Sequence, residues 1–416
     1  MNTSDSERIA SVLESAKYKQ TPNINEADLV VINMCSVRQS AVDRVHGIAE
    51  KFKKAKSKKP AIILTGCVLK KDKKAFAENF DFILDIKKID ELKKIAREQI
   101  RSVPSDYLDI TPKYSSKYSA NVPIMTGCNN FCSYCVVPYT RGREVSRPAK
   151  KIIAEIKNLV KNGYKEVWLL GQNVNSYKDK DISFPELLKL ANNVPGEFWI
   201  RFTSSHPKDF NEDVIEAMAK YKKVSPYLNL PVQSGDDKVL KSMNRHYTVA
   251  QYKNIIKKLR KRIPDISIST DIIVGFPGET KKQFENTVKL FRDVKYDMAY
   301  INKYSPRAGT AAAKLKDNVS WDEKKRREKV LTEILKQTAL EKNKKLIGKD
   351  IEVLIDSERN GAFFGKAANY KTIKIHPVIR QGAPSNDGAN LIGNLVKVKI
   401  TEAKPFILKG EFINEK

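Results

Sequence analysis

The stretch ISISTDIIVGFPGETKKQFENTVKLFRDVKYDMAYINKY, residues 266–304, holds one complete strand–helix–strand unit. Residues 266–276 read as a buried strand that ends in the turn Gly275-Phe276-Pro277-Gly278. Apolar residues at helical spacing predict a helix over 280–293, and MAYINKY (298–304) is the next strand. The same alternation continues outward toward the N-terminus. Helices are expected over 248–262, 210–220 and 149–162, and strands over 227–232, 198–204 and 166–171. A βα repeat of this extent, roughly 200 residues, is of barrel size. A long charged helix, 320–345, ends it.

Both flanks differ from this repeat. After Gly348 come the short strands IEVLID, TIKIHPV, LVKVKITEA and FILKGEFI, an all-β module of OB-like type. Toward the N-terminus, LVVIN (29–33) and AIILTG (61–66) read as buried strands separated by a helix over 40–52. Ser4-Asp5-Ser6-Glu7 reads as a capping box for a first helix carrying Ile9, Val12, Leu13 and Ala16. Residues 102–123, with three Pro and many Ser and Tyr, read as a linker. The fold class is therefore α/β: a small α/β domain, a βα-repeat core and a C-terminal β module.

The 416 residues carry 77 Lys+Arg against 49 Asp+Glu, a net charge of +28, with 41% hydrophobic residues. That content excludes a wholly disordered chain. No apolar run approaches a membrane span, and the polar start MNTSDSERIA excludes a secretory signal. Five cysteines are too few, and odd in number, for a disulfide framework, so a cytoplasmic location is expected. The charge excess is +6 over residues 1–113, +17 over 114–338 and +5 over 339–416. It points to a polyanionic partner, with RNA, DNA and an anionic membrane surface all open. A solvated, Lys-rich surface is the plainer alternative.

Cys128, Cys132 and Cys135 form a Cys-x3-Cys-x2-Cys run in MTGCNNFCSYCVVP (125–138). Structural zinc takes four ligands, and iron–sulfur clusters as a rule take four thiolates. Three thiolates on a four-iron cluster leave one iron open, which suits catalysis better than structure. A zinc site completed from elsewhere and incidental buried cysteines are the alternatives.

This loop resembles the signature of the radical S-adenosylmethionine (SAM) enzymes, including an aromatic, Tyr134, before the last cysteine. The likeness goes further. NMCSVR (33–38), LTGC (64–67), VVPYTRGREVSRP (136–148), LLGQNVNSY (169–177), RFTSSHP (201–207), LNLPVQSG (228–235), MNRHYT (243–248), DIIVGFPGET (271–280) and YSPRAGT (304–310) resemble the MiaB-type methylthiotransferases. The resemblance implies three domains: a methylthiotransferase N-terminal domain (1–103), a radical SAM partial barrel (114–344) and a C-terminal TRAM domain that binds RNA (346–412). It implies a [4Fe-4S] cluster on Cys128, Cys132 and Cys135 whose open iron binds SAM, with Tyr134 near the adenine. A second cluster falls to Cys35 and Cys67. The implied reaction places a methylthio group on C2 of N6-isopentenyladenosine at position 37 of tRNA. One SAM supplies the methyl group and another the radical. An electron donor and a sulfur source are the further partners, no membrane is involved, and a monomer is expected.

Gln172 and Asn173 end one strand, and Asp271, Gly275 and Glu279 belong to another strand and its turn. These are the expected SAM contacts, weighed against plain βα turns. Arg141, Arg143 and Arg147 are read as phosphate contacts or as solvated surface. His46, His206, His246 and His376 do not cluster and are assigned to no metal. The family's second cluster takes a third cysteine from a Gly-Cys-Gln-Met-Asn segment, which here would fall two residues before Met1. A start placed too late, or a true truncation, is the expected reason. Two rival readings follow: an RNA-binding relative without sulfur insertion, and a methylthiotransferase acting on a ribosomal protein.

Overall fold

The computed structural model describes residues 1–36, 39–54, 60–92, 106–376 and 391–413. Val37 and Arg38 of NMCSVR, residues 102–105 of the linker, and Pro377 and Val378 of TIKIHPV lie outside the described residues. The chain forms two compact units. One holds Met1–Ser115, Met125–Arg147 and Ser305–Lys314; the other holds Ser116–Ile124, Pro148–Tyr304 and Leu315–Lys416. None of the described helices is long and apolar enough to cross a membrane.

In the first unit, strands β1 (Leu29–Cys35), β2 (Ala61–Cys67) and β3 (Phe82–Ile83) make a parallel sheet in that order. Helices α1 (Asn2–Ser15), α2 (Gln39–Lys54) and α3 (Lys70–Phe76) accompany it. Successive side chains of a strand point to opposite faces. Ile63 accordingly packs with Ile9, Val12, Ile86 and Leu108, while Ile62 and Leu64 pack with Val45, Ala49, Phe76 and Phe80. The sheet is thus covered on both faces, which is why β2 reads as an unbroken apolar run.

The expected capping box is corrected. Helix α1 already starts at Asn2, so Ser4 lies inside it, and its N-cap, Met1, makes no side-chain cap. The Glu7 carboxylate accepts instead from the N–H and hydroxyl of Ser115, at 2.9 and 2.7 Å. The linker reading over 102–123 is corrected too. Residues Ser119–Pro123 form β4, the first strand of the second unit. Only Ala120 and Val122 give it an apolar face, too short a signal to find by periodicity.

Strands β5 (Glu166–Leu170), β6 (Trp199–Phe202), β7 (Tyr227–Asn229), β8 (Ser267–Val274) and β9 (Met298–Lys303) follow β4. All pair in parallel, β4-β5-β6 and β7-β8-β9, and the bridge Ile200–Val224 links the two sets. Helices α4 (Ala149–Lys161), α5 (Phe184–Asn192), α6 (Glu212–Lys220), α7 (Val249–Arg262) and α8 (Lys281–Val294) alternate with the strands. Sequential order with parallel pairing makes an open, six-stranded partial barrel, whose strand ends gather the loops after each strand at one rim. The long helix α9 (Trp321–Lys344) follows.

The C-terminal module is a closed barrel of β10 (Asp350–Arg359), β11 (Ala362–Ala367), β12 (Thr372–His376), β13 (Leu395–Ala403) and β14 (Leu408–Phe412). Val353, Ile355, Phe363, Ile373, Ile375, Val398, Ile400 and Leu408 fill it. Strand β11 escaped the sequence reading because Phe364, Gly365 and Lys366 interrupt its apolar pattern.

This module is fastened to the partial-barrel strands by a buried cation on β6. Arg201, 1% exposed, pairs with Glu166 and donates to the carbonyls of Ala367 (2.8 Å) and Ala368 (2.6 Å). Its guanidinium lies 5.1 Å from the ring of Tyr370 and 5.0 Å from that of Trp199. Ser119 and Trp168 also donate to Glu166, at 2.7 and 2.8 Å. Nearby, Asp297 pairs with Lys342 and Lys371, and Asn343 donates to the carbonyls of Lys404 and Pro405. Breaking one side of a buried pair leaves an uncompensated charge and costs about 3–5 kcal/mol. Arg201→Ala should therefore lower unfolding free energy by ~3–5 kcal/mol in a urea titration. A loss below ~1 kcal/mol, the range of a surface pair, would contradict this role.

Candidate functional site

Cys35 and Cys67 are the last residues of β1 and β2 and are direct register partners. The parallel sheet thus sets two thiols side by side at its carboxyl edge, where open α/β sheets bind ligands. Gly66 makes the close approach possible. It has φ +95°, and a Cβ there would meet Asn33 Oδ1 at 2.3 Å and the Met34 carbonyl at 2.5 Å. Arg141 reaches this edge from the turn after the three-cysteine loop. Its Nε–H donates to Cys67 Sγ at 3.0 Å, and its Nη2 to Asp5 Oδ2 at 2.6 Å and Asn2 Oδ1 at 3.2 Å. Burial pushes the Cys67 thiol up, and the Arg141 charge opposes that. Arg141 is only 3% exposed, so its reading as a phosphate contact is corrected.

The loop with Cys128, Cys132 and Cys135 belongs to the same unit as Cys35 and Cys67. Cys128 N–H donates to the Gly142 carbonyl (3.2 Å), Cys135 N–H to that of Cys132 (2.9 Å), and Ala312 N–H to that of Ser133 (2.7 Å). Phe131 adopts φ +47°, with Arg143 4.4 Å over its ring. No disulfide joins any of the five cysteines, and the three in the loop, like Tyr134, are half-buried. Among the described residues no three His, Cys, Asp or Glu side chains converge as the ligands of one metal ion. The donor chemistry still fits an iron–sulfur cluster. The loop offers soft thiols alone, with no imidazole or carboxylate between Cys128 and Cys135.

The other expected residues belong to the second unit: Gln172 and Asn173 follow β5, Asp271 lies within β8, and Gly275 and Glu279 follow it. Gly275, at φ +69°, leaves room for Lys324, whose Cγ a Cβ would meet at 2.3 Å. Glu279 accepts from the Gly275 N–H and from Arg327, both at 2.7 Å, and so holds the turn in shape. Burial raises its carboxyl, against the pull of those two partners. Asp271 accepts from Asn229 Nδ2 at 3.2 Å, at the head of a polar ladder through Ser269 and Tyr227. Gln172 Oε1 and Asn173 Oδ1 are buried without a protein partner.

Sequence reasoning missed their neighbours. Asn175 Nδ2, Ser205 Oγ, His206 Nε2 and Gln233 Oε1 are also buried without partners. They follow β5, β6 and β7, the carboxyl ends where a barrel places its ligand. RFTSSHP and LNLPVQSG contain three of them, but no spacing rule marks a lone His or Gln as a ligand group.

His206 is 5% exposed. Burial, then Arg245 and Lys208, bring its imidazole down from 6.5 to about 2. The fold keeps the ring neutral while the unfolded chain takes a proton below about pH 6.5. The unfolded state thus binds the extra proton, and stability falls as pH drops, by up to ~1.4 kcal/mol per pH unit from this group. His206→Asn should flatten that acid limb. Urea titrations at about pH 6 and about pH 5 should show the stability difference shrink by ~1 kcal/mol. An unchanged difference would mean the ring is protonated in the fold.

Family models match three stretches: the radical SAM superfamily over residues 122–291, the uncharacterized protein family UPF0004 over 1–85 and the TRAM domain over 344–413. A radical S-adenosylmethionine methyltransferase, TsrM from Kitasatospora setae, is similar in fold, with TM-score 0.51 and 13% identity, covering 73% of this chain and 68% of that one. Much closer in sequence are proteins named tRNA-2-methylthio-N(6)-dimethylallyladenosine synthase. The one from Carboxydothermus hydrogenoformans is 42% identical, over 99% of this chain and 97% of its own. One from Clostridium botulinum is 43% identical, over 99% and 95%. Over essentially its whole length, therefore, the chain belongs to the tRNA-2-methylthio-N(6)-dimethylallyladenosine synthase family, and it is a radical SAM protein with a TRAM domain.

Proposed function

We propose that this protein transfers a methylthio group to C2 of N6-isopentenyladenosine at position 37 of tRNA. The observation that carries the reading is the gathering of five cysteines, none in a disulfide, in one compact unit: a half-buried group of three and a register-paired two. C2 of an adenine has no acidic proton and no leaving group, so acid–base and nucleophilic chemistry cannot functionalise it. When bound, an iron–sulfur cluster and SAM supply an electron, a carbon radical able to take hydrogen from an unactivated C–H bond, and a methyl group.

The chain's own residues then bind and position. Cys128, Cys132 and Cys135 would hold the cluster that meets SAM, and Tyr134 would lie near the adenine. Cys35 and Cys67 would ligate the second cluster, with Arg141 beside Cys67 as a cation that favours the thiolate. Gln172 and Asn173 offer SAM their unpartnered carbonyl oxygens. Asp271 and Gly275 line the strand end, and Glu279 keeps the turn in shape for them. The net +28 charge supports a tRNA partner, which the C-terminal barrel helps to hold. Electrons and sulfur come from outside partners, and the enzyme works in the cytoplasm as a monomer.

The test is nucleoside analysis of tRNA that carries N6-isopentenyladenosine, incubated anaerobically with iron- and sulfide-reconstituted protein, SAM and a reductant. A methylthio product is expected, absent with the Cys128→Ala, Cys132→Ala, Cys135→Ala triple variant. Methylthiolation of a ribosomal protein, or of no substrate at all, would refute the reading.

A further inference from the structure

A cavity of about 170 Å³ lies where the first residues of β7, β8 and β9, Tyr227, Ser267 and Met298, meet Lys366, Tyr370 and Phe406 of the C-terminal barrel. It stands at the amino ends of these strands, away from the carboxyl ends that lead to Gln233 and Gly275. Its walls are aromatic. The rings of Tyr227 and Tyr370 lie 4.7 Å apart, tilted by 43°. Tyr300 and Phe406 also line it and are 42% and 38% exposed, far more than rings that belong to a core.

Two polar groups in the wall lack what burial normally supplies. Ser267 is 3% exposed, and its hydroxyl has no protein partner. The Lys366 ammonium donates to Thr372 Oγ1 at 2.6 Å and lies 4.8 Å from the centre of the Tyr370 ring. No carboxylate among the described residues pairs with it. Burial pulls that ammonium down from its ordinary value, a penalty that a neighbouring anion relieves. The carboxylate in the wall, Asp297, is already held between Lys342 and Lys371.

These features define the class of ligand. A metal ion or an ammonium group would face Lys366 and Lys371 and find Asp297 taken. An inorganic anion would answer Lys366 and leave the exposed rings bare. An apolar molecule would cover the rings and leave Lys366 and the Ser267 hydroxyl unserved. A nucleotide that has left its stack brings a flat base for the rings, a phosphate for the ammonium and a polar edge for the hydroxyl. Every base has a π-face, so such walls hold a base without choosing among the four.

We propose that this cavity takes one unstacked nucleotide of the tRNA, its base against Tyr300 and Phe406 and its phosphate on Lys366. The proposal deepens the function above and rests on it for the identity of the RNA. It gives the RNA a second anchored base besides the target nucleotide.

The experiment uses full-length, cluster-loaded protein and tRNA that carries N6-isopentenyladenosine, with binding measured over a range of salt concentrations. The paired variant Tyr300→Ala, Phe406→Ala should weaken binding about ten- to hundredfold. It should leave the slope of log K against log salt unchanged, because a stack is lost and no phosphate contact. Lys366→Met should instead flatten that slope by about 0.7, the value for one phosphate of a single strand. Tyr300→Phe keeps the ring and should bind like the unaltered protein. Affinity for S-adenosylhomocysteine and iron content should stay as they are throughout. Ultraviolet cross-linking of the unaltered protein, read by mass spectrometry, should place a nucleotide adduct on Tyr300, Tyr370 or Phe406, and it decides should a variant not fold. Normal tRNA binding by the paired variant, an unchanged slope for Lys366→Met, or adducts only outside the cavity would overturn the proposal. So would an effect seen only with free nucleoside monophosphates, measured alongside. Cavity-dependent tRNA binding by a protein that methylthiolates no tRNA would leave the pocket standing and refute the function instead.

Discussion

The guanidinium of Arg141 lies almost out of solvent among Asp5 of α1, Asn2 and the Cys67 thiol at the end of β2. A buried charge is tolerable only when paired, and Asp5 is itself wholly buried. Each therefore needs the other, and together they hold three distant segments to one place. The turn after the three-cysteine loop is pinned to the sheet edge that carries the second pair of thiols. The five cysteines share one compact unit, and this contact ties the turn after the three-cysteine loop to Cys67.

Parallel pairing supplies the second constraint. In both units the strands run the same way, so whatever follows each strand emerges at one edge. In the first unit that places Cys35 beside Cys67. In the second it gathers Gln172, Asn173, Asn175, His206 and Gln233 after successive strands, each with a buried atom lacking a protein partner. Other strand residues are spent on stability: Arg201 of β6 and Glu166 of β5, with the aromatic rings around them, fasten the C-terminal barrel.

Much of this was legible in the sequence because period and spacing are local. The strands ending at Cys35 and Cys67 show as apolar runs, and the Gly275 turn shows as a strand breaker. What escaped depends on contacts between distant residues. Glu279 reads as a ligand until Arg327 and the Gly275 N–H are seen to occupy its carboxylate. Ser4 and Glu7 have the spacing of a cap, yet Ser115 takes the carboxylate. His206 carries no motif by itself, and its tautomer follows from the N–H of Lys208. Strand β4 is too short and too polar on one side for periodicity to find.

The central claim is that Cys128, Cys132 and Cys135 hold a four-iron cluster with an iron open to SAM. The most direct measurement is the electron paramagnetic resonance spectrum of the anaerobically reconstituted, dithionite-reduced protein before and after SAM is added. Assigned to this cluster by its loss in the triple alanine variant, the reduced-cluster signal should change shape on SAM addition. A signal that ignores SAM, or a colourless protein loaded with zinc, would contradict the account.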